Sequence, residues 1–516
     1  MKEAIRAALQ LFLFLALPLF LSAGSSRAEV RLPKLFSDNM VLQSGVKAPV
    51  WGWAAPGEKI TVRLGAHAAE ATTGQDGRWR TALGPLEAGG PFELLIEGKN
   101  KLVINNVLCG EVWLCSGQSN MAMTVKGSRD AREEIAAADY PRIRYFQVKA
   151  CKAAEPREEV APIEDARQSR LNTWEITSPE TVGNYTAAGF FFARLLQQKL
   201  DVPVGIINSS WGGTTAEAWT SGKALAADPE LSLILKNWPD YNNDESWLKE
   251  QYAKFIEEGE KAKQAGQPAP LYFNQPSVLY NGMIAPLIPY AIRGATWYQG
   301  ESNVFRAYQY RRLFPAMIRN WRSDWGGGDL PFIFVQLANF EAHQGNWPEL
   351  REAQTMTLAV PHTGMAVAID IGDGGDIHPK NKQEVGRRLA LNALALVYQK
   401  DLLYSGPLYD SMKIESGQCR ISFSHTGEGL ATRDNAEAGG FTVAGEDRKF
   451  YPAKARIEGK EVVVSSSEVS HPVAVRYAWT DNPEEANLYN MEGGSPALPA
   501  SPFRTDDWPG MTADRK

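Results

Sequence analysis

Glu111-Val112-Trp113-Leu114-Cys115-Ser116-Gly117-Gln118-Ser119-Asn120-Met121 is the stretch whose reading decides the fold. Its first half is a short apolar run of the kind that forms a strand buried on both faces. Its second half is polar and carries a glycine. A strand ending in a tight, glycine-containing turn holds a serine hydroxyl out at a sheet edge, where a nucleophile is useful. Serine at its own pKa is a weak nucleophile, so the reading stands only if a base can reach it. The best candidate base lies far downstream, in Gly375-Asp376-Ile377-His378-Pro379.

Four further apolar segments have the same character: Val204–Asn208, Arg293–Trp297, Phe332–Leu337 and Met365–Asp370. Helical spacing appears between or after them, in Phe190–Leu200, Tyr308–Trp321, Leu350–Leu358 and Gln383–Tyr398. Strands alternating with helices predict an α/β layer architecture around a parallel sheet, with right-handed crossovers. The Lys- and Glu-rich segment from about 226 to 271, helical in Trp247–Lys263, interrupts that series and reads as a surface insertion.

In an open parallel sheet, ligands bind beyond the carboxyl ends of the strands. The first strand leads into Ser116-Gly117-Gln118-Ser119-Asn120, the second into Ser209-Ser210-Trp211-Gly212-Gly213-Thr214, and the third into Tyr298-Gln299-Gly300-Glu301-Ser302-Asn303. The fourth leads into Asn339-Phe340-Glu341 and the fifth into Asp373-Gly374-Gly375-Asp376-Ile377-His378. Four of these five loops pair glycine with polar side chains, as a shared catalytic edge requires.

Roles follow from chemistry. Ser119 is the candidate nucleophile, His378 the base that takes and returns its proton, and Asp376 the carboxylate that orients the imidazole. A tetrahedral intermediate needs donors for its oxyanion, and the candidates are the Ser119 N–H, the Gly213 N–H and the Gln299 amide, with Asn303 the second choice of amide. Gln118, Asn120, Trp211, Glu301 and Asn303 are the candidates for contacting substrate. Each has an ordinary alternative: Ser119 as a turn residue, Asp376 as a helix cap, Gly212-Gly213 as a packing device, Glu301 as a buried, paired carboxylate and Trp211 as core. Their joint placement at strand ends favours the catalytic reading. His343, after the fourth strand, is the one competitor to His378. No two histidines stand at metal-ligand spacing, so no metal is expected.

The flanks are β. Runs such as Met40–Leu42, Val50–Trp53, Ile60–Leu64 and Phe92–Ile96, separated by turns, predict a small sandwich over 29–106. Residues 405–516 return to β, with two strands turning around Glu458–Lys460, another at Val473–Trp479, and a Pro-rich tail after Gly493 that wraps a surface. The catalytic region is thus 107–404. Residues 1–28 read as an export signal: Lys2 and Arg6 precede the apolar run Leu11–Leu21, and Ser26-Arg27-Ala28 offers a cleavage site. That run is shorter than the roughly 20 apolar residues a spanning helix needs, so export to periplasm or medium is expected over anchoring. With 516 residues, 44% hydrophobic, 22% charged and a net charge of −6, the chain is globular and multidomain. Neither nucleic acid nor a membrane surface is an expected partner. Cys109, Cys115, Cys151 and Cys419 form no C-x-x-C pair and are either buried thiols or one of three disulfide pairings.

Gly117-Gln118-Ser119-Asn120-Met121, Gln299-Gly300-Glu301-Ser302-Asn303 and Asp376-Ile377-His378-Pro379 together resemble the sialate O-acetylesterase family of the SGNH hydrolases. Leu35–Gln43 resembles the opening of that family's N-terminal β region, and Ala486–Asn490 with Pro502–Arg504 its C-terminal end, so the resemblance spans nearly the whole chain after 28. It implies a three-layer α/β sandwich flanked by β domains, and a serine esterase that removes O-acetyl groups from sugars with no cofactor. Ser119 would be acetylated, and water activated by His378 would release acetate. Many SGNH hydrolases place the acid three residues before the histidine, where this chain has Gly375, so the acid is Asp376 or, failing that, Asp373. The substrate is an acetylated sialic acid or an acetylated plant polysaccharide such as xylan or xyloglucan. The competing reading is a carbohydrate-binding protein on a dead hydrolase scaffold, which intact Ser119 and His378 disfavour. A thioesterase or lipase of the same fold is disfavoured by the lack of an apolar lid segment.

Overall fold

The structure is a computed structural model describing residues 29–515 except 245, 327, 344, 345 and 435. The export-signal reading of residues 1–28 lies outside the described residues. The fold is mixed α/β: a curled, mostly parallel central sheet, with further antiparallel sheets toward the C-terminus.

The opening stretch is the end of a 17-residue strand, Lys101–Gly117, and its burial changes along its length. The first half alternates exposed and buried residues and pairs antiparallel with Gly89–Glu97, next to Lys59–Leu64 and His67–Thr72. The second half is buried on both faces, because it lies between two parallel neighbours, Val204–Ser210 and Gly294–Tyr298. One strand therefore serves both sheets, and the 106/107 boundary falls inside it.

The central sheet runs Thr363–Val367, Phe332–Gln336, Gly294–Tyr298, Lys101–Gly117, Val204–Ser210, Tyr140–Gln147 and Trp174–Thr177. Only the last is antiparallel to its neighbour. All five anticipated parallel strands are present, although the fifth closes at Val367 rather than Asp370, whose carboxylate instead pairs with Arg388 at 2.6 Å. Tyr140–Gln147 and Trp174–Thr177 are additions the sequence pattern did not reveal.

Side chains alternate across the sheet. Val112, Leu114, Trp297 and Phe334 join one cluster with Tyr310, Phe314 and Trp321 of the helix Ala307–Trp325. Trp113, Cys115, Ile206 and Val335 join another with residues of the helices Ala187–Leu200 and Lys382–Leu396. Those two helices meet at Gly386, where a Cβ would stand 2.5 Å from Phe191 Cβ, so only glycine allows the contact. The N-terminal β residues Val50, Ile60, Val62 and Trp79 belong to the first cluster, continuous with the central core. The C-terminal β region has its own cluster, with Ile421, Val443, Val462 and Tyr477. Its tail is more than a wrap: Ser495–Pro499 and Phe503–Arg504 are strands.

The segment 226–271 holds the helices Ile234–Asp244 and Ser246–Gln264. It is not only a surface element, since Leu248 and Tyr252 are buried and the Trp238 ring lies against Tyr252 and Tyr272. All four cysteines are free. Among the described residues no helix is long and apolar enough to cross a membrane.

Candidate active site

Register brings the loops together. Gly117 is level with Ser210 on one side and Tyr298 on the other, so three strands end at one edge. Gly117 takes φ +137, and a Cβ there would lie 2.2 Å from Tyr298 O. Glycine alone permits that turn. It releases the chain into the single helical turn Ser119–Ala122, and Trp211 N–H donates to Gly117 O (3.0 Å), locking the second loop to the first.

Ser119 Oγ lies 2.9 Å from His378 Nε2, across 259 residues of sequence. His378 Nδ1 is 3.3 Å from Asp376 Oδ1, which also accepts the His378 backbone N–H at 2.9 Å. The other Asp376 oxygen pairs with Lys380 Nζ at 2.9 Å. Lys380 and the His378 amide hold the Asp376 carboxyl below its ordinary value. Burial holds the His378 imidazole below its ordinary value, opposed by Asp376. A neutral imidazole near pH 7 is the state that can accept a proton. Asp376 does not cap the following helix, a task Asn381 performs by accepting the Glu384 N–H. Asp373 is exposed and accepts the Gly375 N–H (2.8 Å). His343 is 80% exposed beside Glu341 and does not line the pocket that Ser119 and His378 share.

Ser119 and His378 open on a pocket of about 410 Å³, whose walls include Gln118, Gly212, Gly213, Glu301, Phe340 and Trp347. Gly212 abuts Ser119, since a Cβ on it would be 3.3 Å from Ser119 Cβ. Among the described residues, neither Ser119 N–H nor Gly213 N–H is engaged by the protein, which leaves both able to donate to an oxyanion.

The amides expected from the third loop are engaged inside the protein. Gln299 is fully buried, and its Nε2 donates to Thr214 O (3.0 Å) and Asn303 Oδ1 (2.6 Å), while its Oε1 accepts from Tyr310 (3.1 Å). Both of its side-chain donors are thus engaged inside the core, whereas, among the described residues, the Ser119 and Gly213 N–H groups are not. Asn303 is likewise buried, accepting the Ala216 N–H and donating to Glu217. Both side chains knit the second loop to the third. Trp211 stacks on Phe273 (6.3 Å, 13°) at the margin of the site.

Asn120 is likewise engaged within the protein. It is buried, and its Nδ2 donates to Glu301 Oε1 (2.6 Å) and to Ile377 O (3.0 Å), while its Oδ1 accepts from Lys382 Nζ (2.5 Å). One side chain thus ties the serine turn to the loop carrying His378. Lys382, which the sequence reading passed over, sits 4.8 Å from the centre of the Tyr298 ring. Burial pushes its ammonium down to about 7 against the pull of Glu301. Burial likewise raises Glu301, partly offset by its bond from Asn120. Lysine at the start of a helix looks like a surface residue in sequence, and nothing in the pattern flags it.

Cys115, close to Ser119 in sequence, is fully buried on the far face with its thiol pushed up to about 12 by burial, which makes it inert packing. Among the described residues, no cluster of three His, Cys, Asp or Glu is placed to hold a metal ion.

Residues 109–395 match the family model described as carbohydrate esterase, sialic acid-specific acetylesterase. The chain is 30% identical over 549 residues to the sialate O-acetylesterase of Homo sapiens, covering 97% of this chain and 98% of that one. It is 33% identical over 522 residues to the enzyme of that name from Rattus norvegicus, covering 92% and 94%. A crystal structure of a carbohydrate acetylesterase from Xanthomonas citri superposes with a TM-score of 0.80 at 38% identity, covering 93% of this chain and 100% of that chain.

Proposed function

The chain belongs to the sialic acid-specific carbohydrate acetylesterase family, and from that premise we propose that it cleaves O-acetyl groups through an acetyl-enzyme on Ser119. It is a carboxylic ester hydrolase acting on acetylated carbohydrate. The observation that carries the mechanism is the 2.9 Å approach of Ser119 Oγ to His378 Nε2.

Ser119 Oγ attacks the acetyl carbonyl carbon while its proton passes to His378 Nε2. Asp376, beside Nδ1, favours the tautomer whose Nε2 is free to accept and stabilises the imidazolium that forms. The oxyanion is held by the N–H groups of Ser119 and Gly213. The imidazolium returns the proton to the departing sugar oxygen, leaving acetyl-Ser119. Water, deprotonated by the same imidazole, then attacks the acetyl carbon, and acetate leaves as Ser119 recovers its proton.

The helices on both faces of the parallel sheet support the SGNH three-layer reading, with 29–106 and 405–516 as flanking β regions and 107–404 as the catalytic region. The Lys2–Leu21 pattern supports export. Acetate release from acetylated sialic acids, acetylated xylan and acetylated xyloglucan identifies the sugar. Hydrolysis of p-nitrophenyl acetate tests the mechanism: Ser119→Ala lowers kcat by at least about 10³-fold. An unchanged rate in that variant sinks the serine mechanism.

A further inference from the structure

A second pocket, of about 820 Å³, adjoins the catalytic one and is built largely from the helix Ser246–Gln264. Two observations join them. Gln251, exposed on that helix, lines both pockets. Phe273, in the wall of the second pocket, stacks on Trp211, the residue before the Gly212-Gly213 pair beside Ser119.

The lining of the second pocket has a definite chemistry. Phe255, Tyr272 and Phe273 form an aromatic cluster, with centroids 5.1 Å apart for the first two and 4.7 Å for the last two. Tyr272 is buried and backs the half-buried Phe255 and Phe273, and it is these two rings whose surface in the pocket can meet the C–H face of a sugar. Around them stand Lys152 and Lys254 with Glu250 and Glu258, two charges of each sign. Such a balanced set offers donors and acceptors to hydroxyl groups without a net field for an anion. Among the described residues, the catalytic pocket is lined by no lysine or arginine, and Glu301 is its one acid. Among those described residues the pocket beside Ser119 holds no lysine or arginine to pair with a carboxylate, and in the second pocket the two lysines are matched by two acids.

We propose that the second pocket is a subsite for uncharged sugar residues attached to the acetylated one, so that the substrate is an O-acetylated oligosaccharide or glycan chain rather than a free acetylated sugar. The inference rests on Ser119 being the reacting serine. The insertion at 226–271 then has a purpose: it extends a small acetyl-bearing pocket into a groove for a chain.

The test uses the whole protein and O-acetylated xylo-oligosaccharides of one to four residues, with 9-O-acetyl sialic acid and p-nitrophenyl acetate alongside. Wild-type kcat/KM rises with oligosaccharide length. Phe255→Ala lowers kcat/KM on the tetrasaccharide about five-fold more than on p-nitrophenyl acetate, mostly through KM. Lys254→Ala, an exposed change that leaves packing alone, shows the same selective loss at a smaller size. A wild type indifferent to length overturns the proposal, as do equal losses on both substrates in both variants. If Lys254→Ala instead raises KM selectively for 9-O-acetyl sialic acid, the pocket holds a carboxylate and the assignment to uncharged sugars is wrong. Persistence of p-nitrophenyl acetate hydrolysis in Ser119→Ala would count against the serine reading alone, since length dependence in the wild type is measured independently.

Discussion

Exchanging Asp376 for asparagine separates the two candidate acids and sets the value of the one in place. The amide oxygen keeps the backbone bond now made to His378 N–H at 2.9 Å, so the loop geometry survives and only the charge is lost. That charge lies 3.3 Å from His378 Nδ1. Two unit charges at that separation interact by about 1 kcal/mol in water and about 5 kcal/mol at an effective dielectric of 20. Asp376 is 37% exposed and shared with Lys380, which places the loss toward the low end, at about 2–3 kcal/mol, or about 30- to 150-fold in kcat. Asp373→Asn keeps its bond to Gly375 N–H and touches nothing on the histidine, so kcat stays within about three-fold. The pH profile supplies an independent sign. The Asp376 carboxylate favours the imidazolium, so removing it lowers the His378 pKa further and moves the acidic limb of kcat/KM to lower pH. A larger loss in Asp373→Asn, or an acidic limb that moves up in Asp376→Asn, refutes the assignment.

Lys382→Met leaves Asn120 Oδ1 buried without its donor and costs about 1–3 kcal/mol of stability, read from denaturant midpoints. Because the Lys382 charge lowers the His378 pKa, its loss also moves the acidic limb upward, opposite to Asp376→Asn. Gly117→Ala drives a Cβ into Tyr298 O at φ +137; thermal unfolding is expected to show a loss of about 3 kcal/mol or more, and activity near background. Arg351→Met removes a fully buried guanidinium that donates to Leu337 O, Ala338 O, Thr480 O and Asp481 O; a loss of about 3–5 kcal/mol and faster proteolysis after residue 405 are expected.

Much of the site was legible because strand ends and glycine turns leave local signatures. Ser119 and His378 were paired on chemistry alone, and the structure brings them within one hydrogen bond. What the sequence hid depends on which neighbour a polar side chain finds. Gln299 and Asn303 sit in a strand-end loop as a catalytic amide would, yet Thr214, Tyr310 and Glu217 claim them. The strand Tyr140–Gln147 was masked by Pro141 and by Arg142 and Arg144, which break an apolar pattern. Arg144 is nonetheless buried, donating to Pro141 O, Asn39 O and Asn106 Oδ1. Gln251 lies in a helix so rich in lysine and glutamate that only its packing reveals that it reaches a pocket.

The loop that carries His378 holds no helix or strand between Val367 and the helix at Lys382; Asp373 and Asp376 brace it from within, and further bonds reach it from outside. Fixing each residue of such a segment costs about 1–2 kcal/mol of backbone entropy. The brackets come from several directions. Asn120 Nδ2 holds Ile377 O at 3.0 Å, Arg129 N–H holds Lys380 O at 2.7 Å, and Asn339 Oδ1 accepts the Gly372 N–H at 2.8 Å. Asn339 is itself held by Asn482 Oδ1 at 2.8 Å, and Asn482 belongs to the C-terminal β region. Arg351 binds the same region to the fourth strand's loop through Asp481 and Ala338. A base must stay within hydrogen-bond reach of its serine to act, so these bonds bear on the rate as well as on stability. Among the described residues the C-terminal β region gives none to the lining of that pocket, and its link to the His378 loop runs through the bonds of Asn482 to Asn339 and of Asn339 to Gly372.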